Sequence, residues 1–170
     1  MTPFATKRRL TVLGSTGSIG LQALDVVRSH PERFEIVGLS ANRDTDKLRE
    51  QVEEFRPAYV ALESRDAGAL EGLLAEKIIG PGAAPRLAEV PADIVLNGIV
   101  GFAGLAATAG ALRSGNTVAL ANKESLVAGG DWVVRLAGGD DNRIIPLDSE
   151  HSAIFSALGG GPGRRYARSC

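Results

Sequence analysis

Cysteine is almost missing from this chain. There is one, Cys170, among 170 residues. A single thiol cannot build a disulfide framework within the chain, which fits a reducing compartment and reads as cytoplasmic. Neither charge sign dominates: 19 Lys and Arg stand against 20 Asp and Glu, a net charge of -1. That balance gives no support to nucleic acid or an acidic membrane surface as a partner. No apolar run approaches membrane-spanning length. The leader Met1–Arg9 is basic but lacks the apolar segment of a signal peptide, and it reads as a frayed tail before a first strand. No internal repeat and no domain linker is evident. What remains is ordinary for a soluble globular protein, 44% hydrophobic and 23% charged, with length for one domain and a sizeable core.

The chain is organised around Leu10–Gly20, LTVLGSTGSIG. The apolar run Leu10–Leu13 feeds into Gly14–Gly20, and a helical pattern of Leu21, Leu24, Val26 and Val27 follows. That order is buried strand, glycine-rich turn, helix start. Gly14 allows a tight turn, Gly17 close approach of a pyrophosphate, and Gly20 close packing of helix on sheet. The hydroxyls of Ser15, Thr16 and Ser18 are candidate extra donors. The spacing is G-x-x-G-x-x-G, and it also suits a tight strand–helix turn without a ligand.

Strands and helices then alternate. Strands are predicted over 9–14, 34–40, 59–62, 77–80, 93–97, 117–121 and 144–147. The segment 77–80 reads as a small strand. Helices are predicted over 18–29, 44–55, 64–75, 105–113 and 125–136, with Pro31 and Pro57 ending the first two. In the third helix Ser64 is the expected N-cap and Ala67, Leu70, Leu73 and Leu74 the expected buried face. Pro81–Pro85 reads as a loop. Continuous apolar strands between helices imply an α/β fold, a doubly wound and mostly parallel Rossmann-like sheet. Ligands bind such sheets at the carboxyl ends of the strands, and that is where the informative polar residues fall.

After strand two come Ala41–Asn42–Arg43–Asp44. A domain that prefers NAD tends to place an acid at this tip to hold the ribose 2′-OH. None stands here, and Arg43 can pair with a 2′-phosphate, which favours NADP. Arg43 also reads as a solvated loop cation, and Asp44 reads more readily as a helix N-cap than as a ligand contact. After strand five, Asn122–Lys123–Glu124–Ser125 places an amide, an ammonium and a carboxylate at a helix start. They suit a nicotinamide or ribose, a substrate hydroxyl or phosphate, and acid/base work. A polar, solvated first turn capped by Glu124 or Ser125 is the plain alternative. After the last strand, Asp148 and Glu150 can converge on one divalent cation, with oxygen ligands that suit Mg²⁺ or Mn²⁺. Ser149 lies between them as a candidate substrate contact. The alternative is again a helix cap, and His151 reads as a packed or capping histidine.

Three stretches, Gly14–Gly20 (GSTGSIG), Asn122–Leu126 (NKESL) and Leu147–Phe155 (LDSEHSAIF), resemble the 1-deoxy-D-xylulose 5-phosphate reductoisomerase family. Asn97–Leu105 (NGIVGFAGL) is in keeping, and the similarity runs from about Leu10 to about Leu158. The resemblance implies NADPH as cofactor, with Thr16, Gly17, Ser18 and Ile19 on the pyrophosphate and Asn42, Arg43 and Asp44 at the 2′-phosphate end. Asn122 and Glu124 would be further NADPH contacts. Lys123 would contact substrate. Asp148 and Glu150 would ligate Mg²⁺ or Mn²⁺, with Ser149 and Glu150 on the substrate and Lys123 and Glu150 as the catalytic groups. The family rearranges the carbon skeleton of 1-deoxy-D-xylulose 5-phosphate and reduces the resulting aldehyde, and the full-length enzyme is a candidate homodimer.

Two departures stand out. Asn42–Arg43–Asp44 occurs where the family often has Gly-Lys-Asn. Family members also continue into a further catalytic region, with a third carboxylate for the metal, whereas here the resemblance fades after Leu158. The chain is thus read as an NADPH-binding domain over 1–158, with the start of the metal and substrate site at 148–150. A Gly/Arg-rich tail follows over 159–170. Alone, such a piece is expected to be inactive. A competing reading is a nucleotide-binding or regulatory module of another class with a glycine-rich phosphate loop. Asp148–Ser149–Glu150 discriminates, since a simple binding module needs no metal pair. Another small NADP-dependent dehydrogenase is a third reading, but no independent Tyr–Lys or Cys–His arrangement supports it.

Overall fold

A computed structural model describes residues 6–101, 103–121, 123–138, 143–147 and 151–158. Along the chain run β1 (Arg8–Leu13), α1 (Ser18–Ser29), β2 (Phe34–Ala41), α2 (Thr45–Phe55), β3 (Tyr59–Leu62), a 3-10 turn (Ala67–Leu70), β4 (Glu76–Ile79) and α3 (Ala83–Ala88). β5 (Ile94–Asn97), α4 (Ala103–Arg113), β6 (Thr117–Leu120), α5 (Lys123–Leu136), β7 (Ile144–Pro146) and α6 (His151–Ala157) follow. The seven strands form one sheet in the order β4-β3-β2-β1-β5-β6-β7, and every neighbouring pair is parallel. The expected doubly wound α/β fold is therefore what the chain adopts.

Both faces are covered, as continuous apolar strands require. Leu10, Val12, Ile94 and Leu96 join Leu24, Val27, Leu48, Val52 and Ile154 in one buried cluster, beneath α1, α2 and α6. Leu13, Val95, Val118 and Leu120 join Leu87, Leu112 and Val133 in a second, beneath α3, α4 and α5. Small residues set the close approaches. A Cβ at Gly38 would lie 2.8 Å from Leu87 Cδ1, and one at Gly110 would lie 3.0 Å from the Pro85 carbonyl oxygen.

Two expectations fail locally. The helix predicted over 64–75 is only the short 3-10 turn. Asp66, not Ser64, is its cap, accepting from the Ala69 N–H. Leu70 is buried as predicted, but Leu73 is half-buried and Leu74 fully exposed. Gly68 and Gly72 lie within the segment, and Gly72 takes a left-handed φ of 81° that ends any helix. Conversely, the loop predicted at Pro81–Pro85 becomes the start of α3. Pro85 falls in its first turn, where a missing N–H costs nothing. The N-terminal N–H groups of Gly82 and Ala84 are satisfied from outside, by the two carboxylate oxygens of Glu63 at 2.8 Å each.

On the surface, Arg28 of α1 makes a two-pronged contact with Glu54 of α2 and lies 5.2 Å from the centre of the Phe55 ring. Hydrogen bonding to Arg28, with its charge, holds the Glu54 carboxyl below its ordinary range, and the Arg28 guanidinium is raised in turn. A lowered acid stabilises the fold above the unfolded carboxyl's pKa, and that contribution disappears as pH falls through the folded value. Both side chains are about two-fifths exposed, at 41% and 42%, so solvent screens the pair. A double-mutant cycle on Arg28→Ala and Glu54→Ala is expected to give about 0.2–1 kcal/mol of coupling at pH 7 and none in strong acid.

Candidate dinucleotide-binding site

The strand register brings the carboxyl ends together. Leu13 pairs with Ser40 and Asn97, Asn97 pairs with Leu120, and Leu120 pairs with Pro146. The segments that follow β1, β2, β5, β6 and β7 therefore leave one edge of the sheet. Strand order reverses between β1 and β5, and the two backbones nearly touch there. The Gly98 N–H donates to the Leu13 carbonyl at 3.0 Å, and a Cβ on Gly14 would lie 3.4 Å from the Gly98 carbonyl carbon.

Gly14 has φ of 73°, in the left-handed region, and its carbonyl accepts from the Gly17 N–H at 3.1 Å. Gly17 is the N-cap of α1 in an extended conformation, and no side chain caps that helix. Gly20 is closed to any side chain, since a Cβ there would collide with the Gly14 carbonyl oxygen and sit 2.5 Å from Ser15 Cα. Gly17 and Ser18 are exposed, while Thr16 and Ile19 are half-buried. An uncapped helix start beside a tight glycine turn presents backbone donors and a positive dipole end, and a pyrophosphate fits both.

Ser15 corrects one expectation. It is fully buried and does not face a ligand. Its hydroxyl donates to Gln51 Oε1 at 2.6 Å, and Gln51 Nε2 donates back to the Ser15 carbonyl at 3.0 Å. The Ser15 N–H donates to the Ser40 carbonyl at 2.8 Å, and the Gly14 N–H to Ser40 Oγ at 3.1 Å. On the opposite lip, Asn97 Nδ2 donates to the Gly104 carbonyl at 2.7 Å and to Thr108 Oγ1 at 2.9 Å. Its Oδ1 accepts from the Ile99 N–H. Each side of the switch point is thus braced by one buried amide. Sequence reading missed both. Gln51 carried a signal, a polar residue between Leu48 and Val52 on the apolar stripe of α2.

At the tip of β2, Asn42, Arg43 and Asp44 are all exposed. The Asp44 carboxylate accepts from the Lys47 N–H at 3.2 Å, which is the capping role its position suggested. Lys123 and Glu124 open α5. Their side chains and Asn122 lie outside the described residues, as do Asp148, Ser149 and Glu150, which follow β7 and the buried Leu147. No group of three or more metal-ligating side chains occurs among the described residues. No helix among them is long and apolar enough to cross a membrane.

Fold and site together define a Rossmann-like α/β domain with an anion-ready glycine turn at its switch point. The family model described as 1-deoxy-D-xylulose 5-phosphate reductoisomerase matches residues 10–130. The curated reductoisomerase of Leifsonia xyli is 46% identical over 162 residues, covering 95% of this chain and 40% of the relative. That of Chlorobaculum tepidum is 47% identical over 161 residues, covering 90% and 42%. The solved Zymomonas mobilis reductoisomerase in complex with NADPH superposes with a TM-score of 0.77 at 36% identity, over 89% of this chain and 41% of that one. A DOX-P reductoisomerase solved with NADPH, fosmidomycin and magnesium gives 0.77 at 38% identity, over 88% and 38%. The chain belongs to the 1-deoxy-D-xylulose 5-phosphate reductoisomerase family, and it spans about 40% of the length of these relatives.

Proposed function

We propose that this chain is the NADPH-binding part of a 1-deoxy-D-xylulose 5-phosphate reductoisomerase. The observation that carries the reading is the glycine turn Gly14–Ile19 at the switch point, with Arg43 exposed at the tip of the neighbouring strand and the adjacent Asp44 carboxylate engaged in capping α2. Relatives solved with NADPH support it. In this reading Thr16, Gly17, Ser18 and Ile19 hold the pyrophosphate. Asn42 and Arg43, on the loop that Asp44 anchors to α2, meet the 2′-phosphate end. Asn122 and Glu124 complete the cofactor contacts. Lys123 and Ser149 orient the sugar phosphate, and Asp148 and Glu150 supply hard oxygen ligands of the kind Mg²⁺ or Mn²⁺ prefers. Lys123 and Glu150 are the groups placed at the reacting end. Bound NADPH supplies the hydride for the reduction. The whole enzyme is read as a cytoplasmic homodimer without nucleic-acid or membrane partners.

Calorimetric titration of Arg43→Ala with NADPH and NADH tests the carrying observation. Loss of a charged hydrogen bond to the 2′-phosphate is expected to weaken NADPH by about 1.5–3 kcal/mol and leave NADH unchanged. Equal losses for the two nucleotides would remove Arg43 from the 2′-phosphate. For the metal, two carboxylates leave most of an octahedral shell to water, so Mn²⁺ is expected to bind these 170 residues only weakly. Paramagnetic relaxation of water protons measures this, and tight binding would contradict the assignment of an incomplete ligand set.

A further inference from the structure

We propose that Gln51 is a positioning residue for the nucleotide, acting through Ser15 to aim the Thr16 N–H at the pyrophosphate. This rests on the reading that the Gly14–Ile19 turn binds NADPH. Gln51 belongs to α2 and is only 3% exposed, yet both atoms of its amide are spent on one residue 36 positions away. Ser15 Oγ donates to Oε1, and Nε2 donates to the Ser15 carbonyl. The amide orientation is fixed by chemistry, because a carbonyl only accepts and the atom facing it must be the nitrogen.

That second bond matters for the ligand. The Ser15 carbonyl and the Thr16 N–H belong to one planar trans peptide, so they point in opposite directions. Gln51 holds the carbonyl inward, towards the core beneath α2. The Thr16 N–H is thereby turned the other way, outward at the half-buried position between the Gly14 turn and the exposed α1 start. Ser40 pins the same unit from the β2 side, through the Ser15 and Gly14 N–H groups. If packing were the only demand, an apolar side chain would serve on the stripe shared with Leu48 and Val52 without burying an amide. A buried amide with a partner on both of its polar atoms instead specifies one loop conformation.

The test uses these 170 residues with Gln51→Met, which keeps side-chain length and removes both bonds, and Ser15→Ala, which removes one. Three quantities are read: affinity for NADPH and for NADH by titration, the melting temperature, and the Thr16 amide resonance without ligand. Gln51→Met is expected to weaken both nucleotides by the same factor, about tenfold or more, because the pyrophosphate is common to them. Its Thr16 amide is expected to shift or broaden. Ser15→Ala is expected to weaken both by about threefold, and the double variant to bind no more weakly than Gln51→Met alone. A lower melting temperature with unchanged affinity and an unmoved Thr16 resonance would overturn the proposal and leave Gln51 a packing residue. Should Gln51→Met not fold, Ser15→Ala decides alone, and unchanged affinity there overturns the proposal. A wild-type chain that binds neither nucleotide overturns the cofactor reading beneath the proposal. That outcome is distinct from wild type binding and Gln51→Met binding equally well.

Discussion

Gly20→Ala is expected to destabilise the fold by about 3 kcal/mol and to abolish nucleotide binding. The added methyl would meet the Gly14 carbonyl oxygen, Ser15 Cα at 2.5 Å and Ser15 C at 2.7 Å. All three are backbone atoms of the turn itself, so no side chain can swing aside. Relief requires α1 to move off β1, which opens the cluster around Leu10, Leu24 and Val27, or the turn to unwind. Either change displaces the backbone donors assigned to the pyrophosphate. Gly17→Ala is the control. Gly17 has φ of -82°, and a Cβ there meets only the Gly14 carbonyl oxygen, at 3.4 Å. Its stability cost is expected to be no more than about 1 kcal/mol, that of a poorer N-cap. Binding should still fall, because the methyl occupies the path of the phosphate. Urea midpoints and NADPH titrations of the two variants separate the effects. A Gly20→Ala variant as stable as wild type would mean that the helix and turn do not pack as described.

The second large effect is on turnover. A polypeptide of these 170 residues is expected to leave the absorbance of NADPH unchanged when mixed with 1-deoxy-D-xylulose 5-phosphate and Mn²⁺. It spans about 40% of the length of its relatives, and the groups assigned to the substrate come only from the chain that follows β6 and β7. Positioning from one side does not fix a near-attack geometry, and such positioning is worth about 7–11 kcal/mol of barrier. An open site also stays wet, which weakens every electrostatic contribution inside it. Tighter cofactor binding cannot compensate, because only interactions that strengthen in the transition state raise the chemical rate. Substrate-dependent oxidation at an ordinary enzyme rate would show that Lys123, Asp148, Ser149 and Glu150 suffice for the chemistry.

Much of this was legible in the sequence. The runs at Leu10, Ile94 and Thr117 are buried strands because no charged residue interrupts them, and the glycine spacing after β1 fixed the turn and the start of α1. Asp44 was readable as a cap from its place before Leu48. The segment around Ala67–Ala75 misled because its leucines have helical spacing while Gly68 and Gly72 decide the backbone. α3 was hidden for the opposite reason. Its start is stabilised by Glu63, which sits on another element and is invisible to local reading. Ser15 looked like a ligand donor because a hydroxyl in a glycine loop usually does. Only tertiary packing shows that Gln51, far along the chain, has claimed it.

NADPH is expected to lie across the sheet edge between the β1 and β2 tips, and its contacts can be mapped residue by residue. Amide resonances of the 170-residue chain are followed during titration with NADPH. Shifts concentrated at Thr16–Ile19 and Asn42–Arg43, with NADH reproducing the first set and not the second, are the predicted result. Shifts centred instead on the pocket lined by Arg49, Arg56 and Leu73 would contradict it, as would no shift at saturating nucleotide.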